Sequence, residues 1–206
     1  MKKEDKIAII GLGYVGLPLA LAFSKHYKVV GYDVNEERVH SLQKGIDSNL
    51  DVVVSVNSNL VLSSNENAIK EADMYIITVP TPVNAENIPD LSFLQSASQL
   101  VGKYLKEGDV VIYESTVYPG VTEDFCAPIL AEISGLRYNT NFYCGYSPER
   151  ISPGTDKYTL QNVVKVTSGS TTRVADLVDN LYKKIIVAGT YKAPSIKVAE
   201  AAKVIE

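Results

Sequence analysis

This 206-residue chain is poor in the residues that build metal and disulfide sites. Its two cysteines, Cys126 and Cys144, stand 18 positions apart, too few for a disulfide scaffold or a Cys-rich zinc site. Its two histidines, His26 and His40, both fall within the first 40 residues, so no metal constellation forms along the sequence. There is no long basic run. Twenty Lys and Arg against 24 Asp and Glu leave a net charge of −4, which argues against nucleic acid as the main partner. Repeats with a period of 20 to 50 residues and low-complexity tracts are missing, and an apolar share of 46% beside a charged share of 21% is ordinary globular usage. The uncharged stretch 7–24 is interrupted by Gly11, Gly13, Gly16 and Pro18 and falls short of the roughly 20 mostly apolar residues that span a bilayer. Acidic residues precede it and no small-residue cleavage site follows, so it is no export signal. The expectation is a soluble, cytoplasmic α/β protein.

What is present is alternation. Lys6-Ile7-Ala8-Ile9-Ile10 is a short β-branched run of the kind found in strands covered on both faces. Further strands are expected over 28–33, 60–62, 74–79, 109–113, 142–146, 163–167 and 185–187. Helices are expected over 17–25, 35–44 with Asn35 as N-cap, 66–71, 91–105, 121–134 and 171–184, and a last one opens at 194. Residues 46–59 show no clear period and read as loop. Strands alternating with helices of this length form βαβ units, hence an α/β fold with a Rossmann-like, doubly wound, mostly parallel sheet and helices on both faces. The last helix has no Gly, Asn or Pro to end it, so the chain reads as the front part of something longer.

Between the first strand and helix lies Gly11-Leu12-Gly13-Tyr14-Val15-Gly16. Glycines in this pattern recur in purely structural turns, but here the turn follows a buried strand, opens a helix and precedes an acidic residue, Asp33, that closes the next strand. The interval from Gly16 to Asp33 is 17 residues, near the ~20 of a dinucleotide fold. Gly11 allows the tight turn, Gly13 lets backbone approach a pyrophosphate, and Gly16 brings helix against strand. The amides of Tyr14 and Val15 then face an anion at the helix N-terminus. Asp33 is placed to accept hydrogen bonds from the adenosine ribose and to repel a 2′-phosphate, which favours NAD over NADP. Arg38, five residues on, is placed at the ribose or phosphate edge and leaves a small opening for NADP.

Further segments carry a resemblance. The run from Ile9 to Pro18, then Val79-Pro80-Thr81-Pro82, Glu114-Ser115-Thr116-Val117-Tyr118-Pro119-Gly120, and the run Gly145-Tyr146-Ser147-Pro148-Glu149-Arg150-Ile151-Ser152-Pro153-Gly154 resemble the nucleotide-sugar 6-dehydrogenases, the UDP-glucose and GDP-mannose dehydrogenase superfamily. The Ser-Pro-Glu-Arg-Ile form, with Lys165-Val166-Thr167-Ser168-Gly169 and Ala199-Glu200-Ala201-Ala202-Lys203, resembles the UDP-N-acetylhexosamine branch. The resemblance implies NAD-dependent oxidation of a sugar C6 alcohol to a carboxylate in two hydride transfers, for surface or capsular polysaccharide precursors. It implies Pro80, Thr81 and Thr116 beside the cofactor, Thr116 also beside the reacting centre, and Glu149 organising water and assisting proton transfer. It implies Lys203 near a developing C6 oxyanion, and Glu149, Arg150, Ile151, Ser152 and Lys203 along the UDP-sugar. The family's nucleophilic cysteine lies beyond position 206. Residues 1–190 would then be the NAD-binding domain and residues 191–206 the start of a connecting helix. The whole enzyme is expected to be a homodimer, and this chain alone a monomer or weak dimer.

Each residue also has a plainer reading. Thr116 alone would be a helix cap, Pro148-Glu149 a turn with a solvated carboxylate, and Lys203 a solvated lysine with Glu200 as its i, i+3 partner. The two cysteines read as small buried hydrophobes rather than nucleophiles. UDP-glucose or GDP-mannose as substrate, a non-catalytic NAD-binding module and, more distantly, a β-hydroxyacid dehydrogenase stay open as alternatives.

Overall fold

The computed structural model describes residues 5–47, 52–150 and 162–205. The expected loop segment 151–154, with Ile151 and Ser152, lies outside them. The first strand, β1 (Lys6–Ile10), alternates between two cores. Ile7 and Ile9 point into one apolar cluster, Ala8 and Ile10 into another on the opposite face. Burial on both sides is what an unbroken β-branched run provides. The chain continues through α1 (Gly16–Phe23), β2 (Lys28–Tyr32), α2 (Glu36–Gln43), β3 (Ile46–Asp47), β4 (Val52–Val53) and β5 (Leu60–Ser63). After a 3₁₀ turn at Glu66–Ile69 come β6 (Met74–Ile77), α3 (Ser92–Gly102) and β7 (Val110–Tyr113). A π-type turn, Val121–Cys126, leads into α4 (Ala127–Ser134). The remaining elements are β8 (Tyr143–Tyr146), β9 (Lys165–Gly169), α5 (Thr172–Tyr182), β10 (Thr190–Lys192) and α6 (Ile196–Ile205).

Eight strands form one sheet in the order β10-β9-β8-β7-β6-β1-β2-β5. Every pairing is parallel except β8 with β9. α1, α2 and α5 bury Phe23, Leu42 and Leu181 in the first core; α3, α4 and α6 bury Val101, Leu130 and Ile196 in the second. The sheet is thus doubly wound. The chain leaves β1 toward one edge and returns at β6 toward the other, so a crevice opens between the carboxyl ends of these two central strands.

Two expectations are corrected. The stretch read as loop from 46 contains a short antiparallel hairpin, β3 with β4. The strand expected at 185–187 is instead the turn that follows α5. The amides of Ile185 and Ile186 both donate to the Tyr182 carbonyl, their side chains join the first core, and Val187 is 82% exposed. Ile185 and Ile186 cover the end of the helix, and the edge strand starts at Thr190, after Gly189 turns the chain at φ +90°.

Candidate functional site

The glycine turn occupies the crevice. Gly11 has φ +97°, a conformation costly for any residue with a Cβ. Its amide donates to the Tyr32 carbonyl at 2.8 Å and its carbonyl accepts from Thr78 Oγ1 at 2.9 Å. A Cβ on Gly16 would lie 1.9 Å from that same carbonyl, so the helix starts where only glycine fits. A Cβ on Gly13 would meet nothing within 4 Å. That open side is where a diphosphate would approach, and no side chain caps the N-terminus of α1 behind Tyr14 and Val15.

Asp33 is oriented from two directions. Its Oδ2 accepts from the Leu12 amide at 2.7 Å and its Oδ1 from the Asn35 amide at 2.9 Å. Asn35 caps α2 as expected, accepting from the Arg38 amide. Arg38 itself takes a place the sequence did not suggest. It is 7% exposed; its Nε and Nη2 donate to the Leu12 carbonyl at 3.1 and 2.9 Å, and its Nη1 pairs with Asp47 on β3. The Leu12 peptide is therefore gripped at its N–H by Asp33 and at its C=O by Arg38. Beside it a cleft of about 670 Å³, walled by Val34, Val79, Pro80, Phe93 and Leu100 with Asp33 at its rim, has the size and apolar lining of a nucleotide-base pocket.

The loops after β6 and β7 are stapled together. Thr81 Oγ1 donates to the Thr116 carbonyl at 2.7 Å, and Ser115 Oγ to the Val79 carbonyl. Thr116 is exposed at the end of β7 and is no helix cap, because the following helical turn begins at Val121 behind Gly120. Glu149 is not a solvated turn residue either: it is 9% exposed. Its Oε2 accepts from Lys165 Nζ at 2.6 Å and its Oε1 from the Arg150 amide at 2.7 Å. Lys203, on α6, donates from Nζ to the Glu149 backbone carbonyl. Arg150 sends Nη1 to the Val164 carbonyl at 3.3 Å.

Several residues that matter here had drawn no role from the sequence. Lys165 also donates to Glu114 Oε2 at 2.7 Å, Glu114 Oε1 accepts from the Tyr182 hydroxyl, and the ammonium lies 5.3 Å from the Tyr182 ring centre. Burial pushes the Glu114 carboxyl up to about 7 against the pull of Lys165, with Glu149 pushing the same way as burial. The two carboxylates outweigh burial at Lys165 and raise it, so it stays an ammonium. Glu200 is buried rather than paired with Lys203 at the surface. Its oxygens accept from the amides of Gly120 at 2.6 Å and Thr122 at 2.9 Å, capping from α6 a helical turn that has no side-chain cap of its own. A visible signal existed: Glu114 and Lys165 each adjoin a run of apolar strand residues, where an ionic group is tolerated only when paired. Cys126 and Cys144 are buried free thiols, and burial pushes Cys126 up to about 12.

Six parallel strands in the order β5-β2-β1-β6-β7-β8, a glycine turn at the switch point and a carboxylate just after the second strand define a dinucleotide-binding domain of the Rossmann type. Residues 5–186 match the UDP-glucose/GDP-mannose dehydrogenase family, NAD binding domain, and the chain belongs to that family. It is 57% identical over 98% of its length to a UDP-N-acetyl-D-glucosamine 6-dehydrogenase of Salmonella typhi, and 48% identical over 97% to the protein CapL of Staphylococcus aureus. It covers 48% of each of those proteins, so it spans about half the length of the curated relatives it matches. Among solved structures, it superposes on a UDP-D-ManNAc dehydrogenase from Pyrococcus horikoshii with TM-score 0.86 and 30% identity, covering 97% of this chain and 49% of that one. NAD is the cofactor of the domain, and the uncapped helix start and the open face at Gly13 fit its diphosphate.

Proposed function

We propose that this chain is the NAD-binding part of a nucleotide-sugar 6-dehydrogenase that oxidises the C6 alcohol of a UDP-N-acetylhexosamine to the uronate, for polysaccharide precursors. The observation that carries the reading is the contact of Lys203 with the Glu149 carbonyl, which joins segments 54 residues apart at the sheet edge that also bears Thr116. When bound along the crevice, NAD would supply the hydride acceptor. Gly11, Gly13, Tyr14, Val15 and Gly16 hold the diphosphate by backbone, and Asp33 holds the adenosine ribose. Arg38 acts from behind by fixing the Leu12 peptide, while Pro80, Thr81 and Thr116 border the nicotinamide end. Lys203 places positive charge where the C6 oxygen becomes anionic, an electrostatic role favoured in a partly buried site. Glu149 holds the water that supplies the second oxygen and takes up its proton. Arg150, Ile151 and Ser152 line the sugar nucleotide, and the nucleophile is supplied from outside these residues.

The acetamido sugar is favoured by the names of the relatives at 57% and 54% identity. Residues 1–190 serve as the NAD-binding domain and residues 191–206 begin the connecting helix. Exposed Val198, Val204 and Ile205 on α6 suit a helix that continues into a dimer contact, which leaves this chain alone a monomer or weak dimer. No helix among the described residues is long and apolar enough to cross a membrane. Free buried thiols suit a reducing, cytoplasmic setting.

Calorimetric titration of the chain with NAD and NADP, and turnover of an intact dehydrogenase carrying these residues with UDP-N-acetylglucosamine and UDP-glucose, test the reading. Preferential NAD binding and preferential oxidation of the acetamido sugar are expected. Faster oxidation of UDP-glucose would reassign the substrate, and absence of turnover with every nucleotide sugar would leave a non-catalytic NAD-binding module.

A further inference from the structure

Behind Glu149 lies an ionic cluster whose other members have no place in the reading above. Four elements contribute to it. Glu114 directly follows β7, Lys165 begins β9, Tyr182 ends α5, and Glu149 follows β8. All four are buried, three of them at 4% exposure or less. Lys165 bridges the two carboxylates at 2.7 and 2.6 Å, while Tyr182 closes the far side of Glu114. A lysine has four rotatable bonds and gains nothing from burial unless its ammonium is fixed. Here Glu114, the Tyr182 ring and the strand itself fix it, and Glu149 is the remaining ligand of that ammonium.

The sequence of restraint runs one way. Glu114 directly follows β7, a strand paired on both sides by β6 and β8, and its amide donates to the Ile77 carbonyl at 2.9 Å, while Tyr182 belongs to a helix packed on the sheet. Glu149 belongs to a segment beyond the end of its strand, where no ladder holds it. The Glu114 side, held against the sheet, therefore positions the carboxylate that follows β8. We propose that Lys165, anchored by Glu114 and Tyr182, is the positioning residue that holds the Glu149 carboxylate in one orientation and in its ionised form. Its bearing on catalysis rests on the role assigned to Glu149 above; its effect on Glu149 does not.

The charged surroundings are these. Lys165 meets the Glu149 carboxylate from β9, and Lys203 meets its backbone carbonyl from α6. Arg150 follows it in the chain and gives its amide to Oε1 while turning its guanidinium to Val164. Glu114 and Tyr182 face Lys165 from β7 and α5. The Glu114 carboxyl, raised chiefly by burial, is raised further by Glu149 as the second acid sharing one ammonium.

The experiment is a carboxyl ¹³C NMR titration of the 206-residue chain, following Glu149 in the parent, Lys165→Met, Lys165→Arg and Glu114→Gln. An opposite charge at hydrogen-bond distance moves a carboxyl by about 1 to 3 pH units. The Glu149 midpoint should therefore rise by more than about one unit in Lys165→Met, return toward the parent in Lys165→Arg, and fall in Glu114→Gln. The double variant Lys165→Met, Glu114→Gln leaves one buried carboxylate instead of two and serves if the single Met variant does not fold. A Glu149 midpoint unchanged from the parent in a folded Lys165→Met variant, or unchanged from Glu114→Gln in the double variant, overturns the proposal. A second arm uses an intact dehydrogenase carrying these residues, where Lys165→Met should lower kcat with KM for NAD unchanged and Lys165→Arg should rescue it. A shifted midpoint with unchanged kcat upholds the effect on Glu149 and removes Glu149 from the chemistry.

Discussion

The crevice between β1 and β6 and the edge formed by β7, β8 and β9 face the same side of the sheet but are made of different materials. At the crevice the working surface is backbone: an uncapped helix start, a glycine open to the ligand, and a peptide held between Asp33 and Arg38. At the edge it is side chain: Lys165 between two carboxylates, Glu200 on two amides, Lys203 on a carbonyl. Backbone recognition depends on local conformation, so a few glycines at fixed spacing suffice. Side-chain recognition depends on the tertiary structure, because its partners come from positions 16 to 80 residues apart.

The comparison breaks most sharply at the glycines. Gly16→Ala puts a methyl into the Gly11 carbonyl, and we expect loss of NAD binding with destabilisation of at least about 3 kcal/mol. Gly13→Ala has room for its methyl and should leave stability nearly unchanged while weakening NAD by roughly tenfold. Calorimetry and denaturant melts on both variants check this; equal losses of stability would mean that the two glycines share one structural role. At the other region the order reverses. Lys165→Met strands two buried carboxylates and should cost about 3 to 5 kcal/mol while NAD affinity stays within about twofold. A large fall in NAD affinity of the folded variant would show that the two regions are coupled.

Asp33→Asn should weaken NAD by roughly tenfold and narrow the preference over NADP, since a charged acceptor for the ribose is worth about 1.5 kcal/mol or more. Titration with both nucleotides reads it, and an unaltered preference would return Asp33 to a purely structural role at the Leu12 amide. The smallest effect is on pH dependence. Glu114 is raised by burial from an ordinary 4.5 to about 7, so its contribution to stability is fully present below 4.5 and is lost as pH rises through 7. Asp109, raised by burial to about 6, acts in the same sense. Melts at pH 5 and pH 8 should therefore differ less in Glu114→Gln than in the parent chain; an unchanged difference would mean that other groups set the slope.

Legibility in the sequence follows the same division. The strands and helices around the glycine turn could be read because both faces of β1, β6 and β7 are buried and their apolar runs are unbroken. Ile185 and Ile186 misled because an apolar run closing a helix looks the same as a short strand, and only the hydrogen bonds to Tyr182 distinguish them. The placement of Arg38 was hidden by Asp47, which sits in a hairpin too short to leave a periodic signal. Glu200 looked like a surface partner of Lys203 because helix spacing says which residues are neighbours, not which face the chain buries. The resemblance pointed to Thr116, Glu149 and Lys203, of which the structure brings Lys203 onto the Glu149 carbonyl, while the cluster behind Glu149 lies in positions whose pairing is decided by the antiparallel turn of β9.

The staple between Thr78 and Gly11 has a consequence for how the protein is made. The glycine motif leaves the ribosome before β6 does, and its carbonyl gains its hydroxyl partner, and β1 its second neighbour, only when β6 has emerged, 67 residues later. A nascent chain shorter than that carries the motif as an open loop beside a half-paired strand. The cradle is thus completed by translation of its far wall, and ligand binding by a stalled chain should switch on at a definite length.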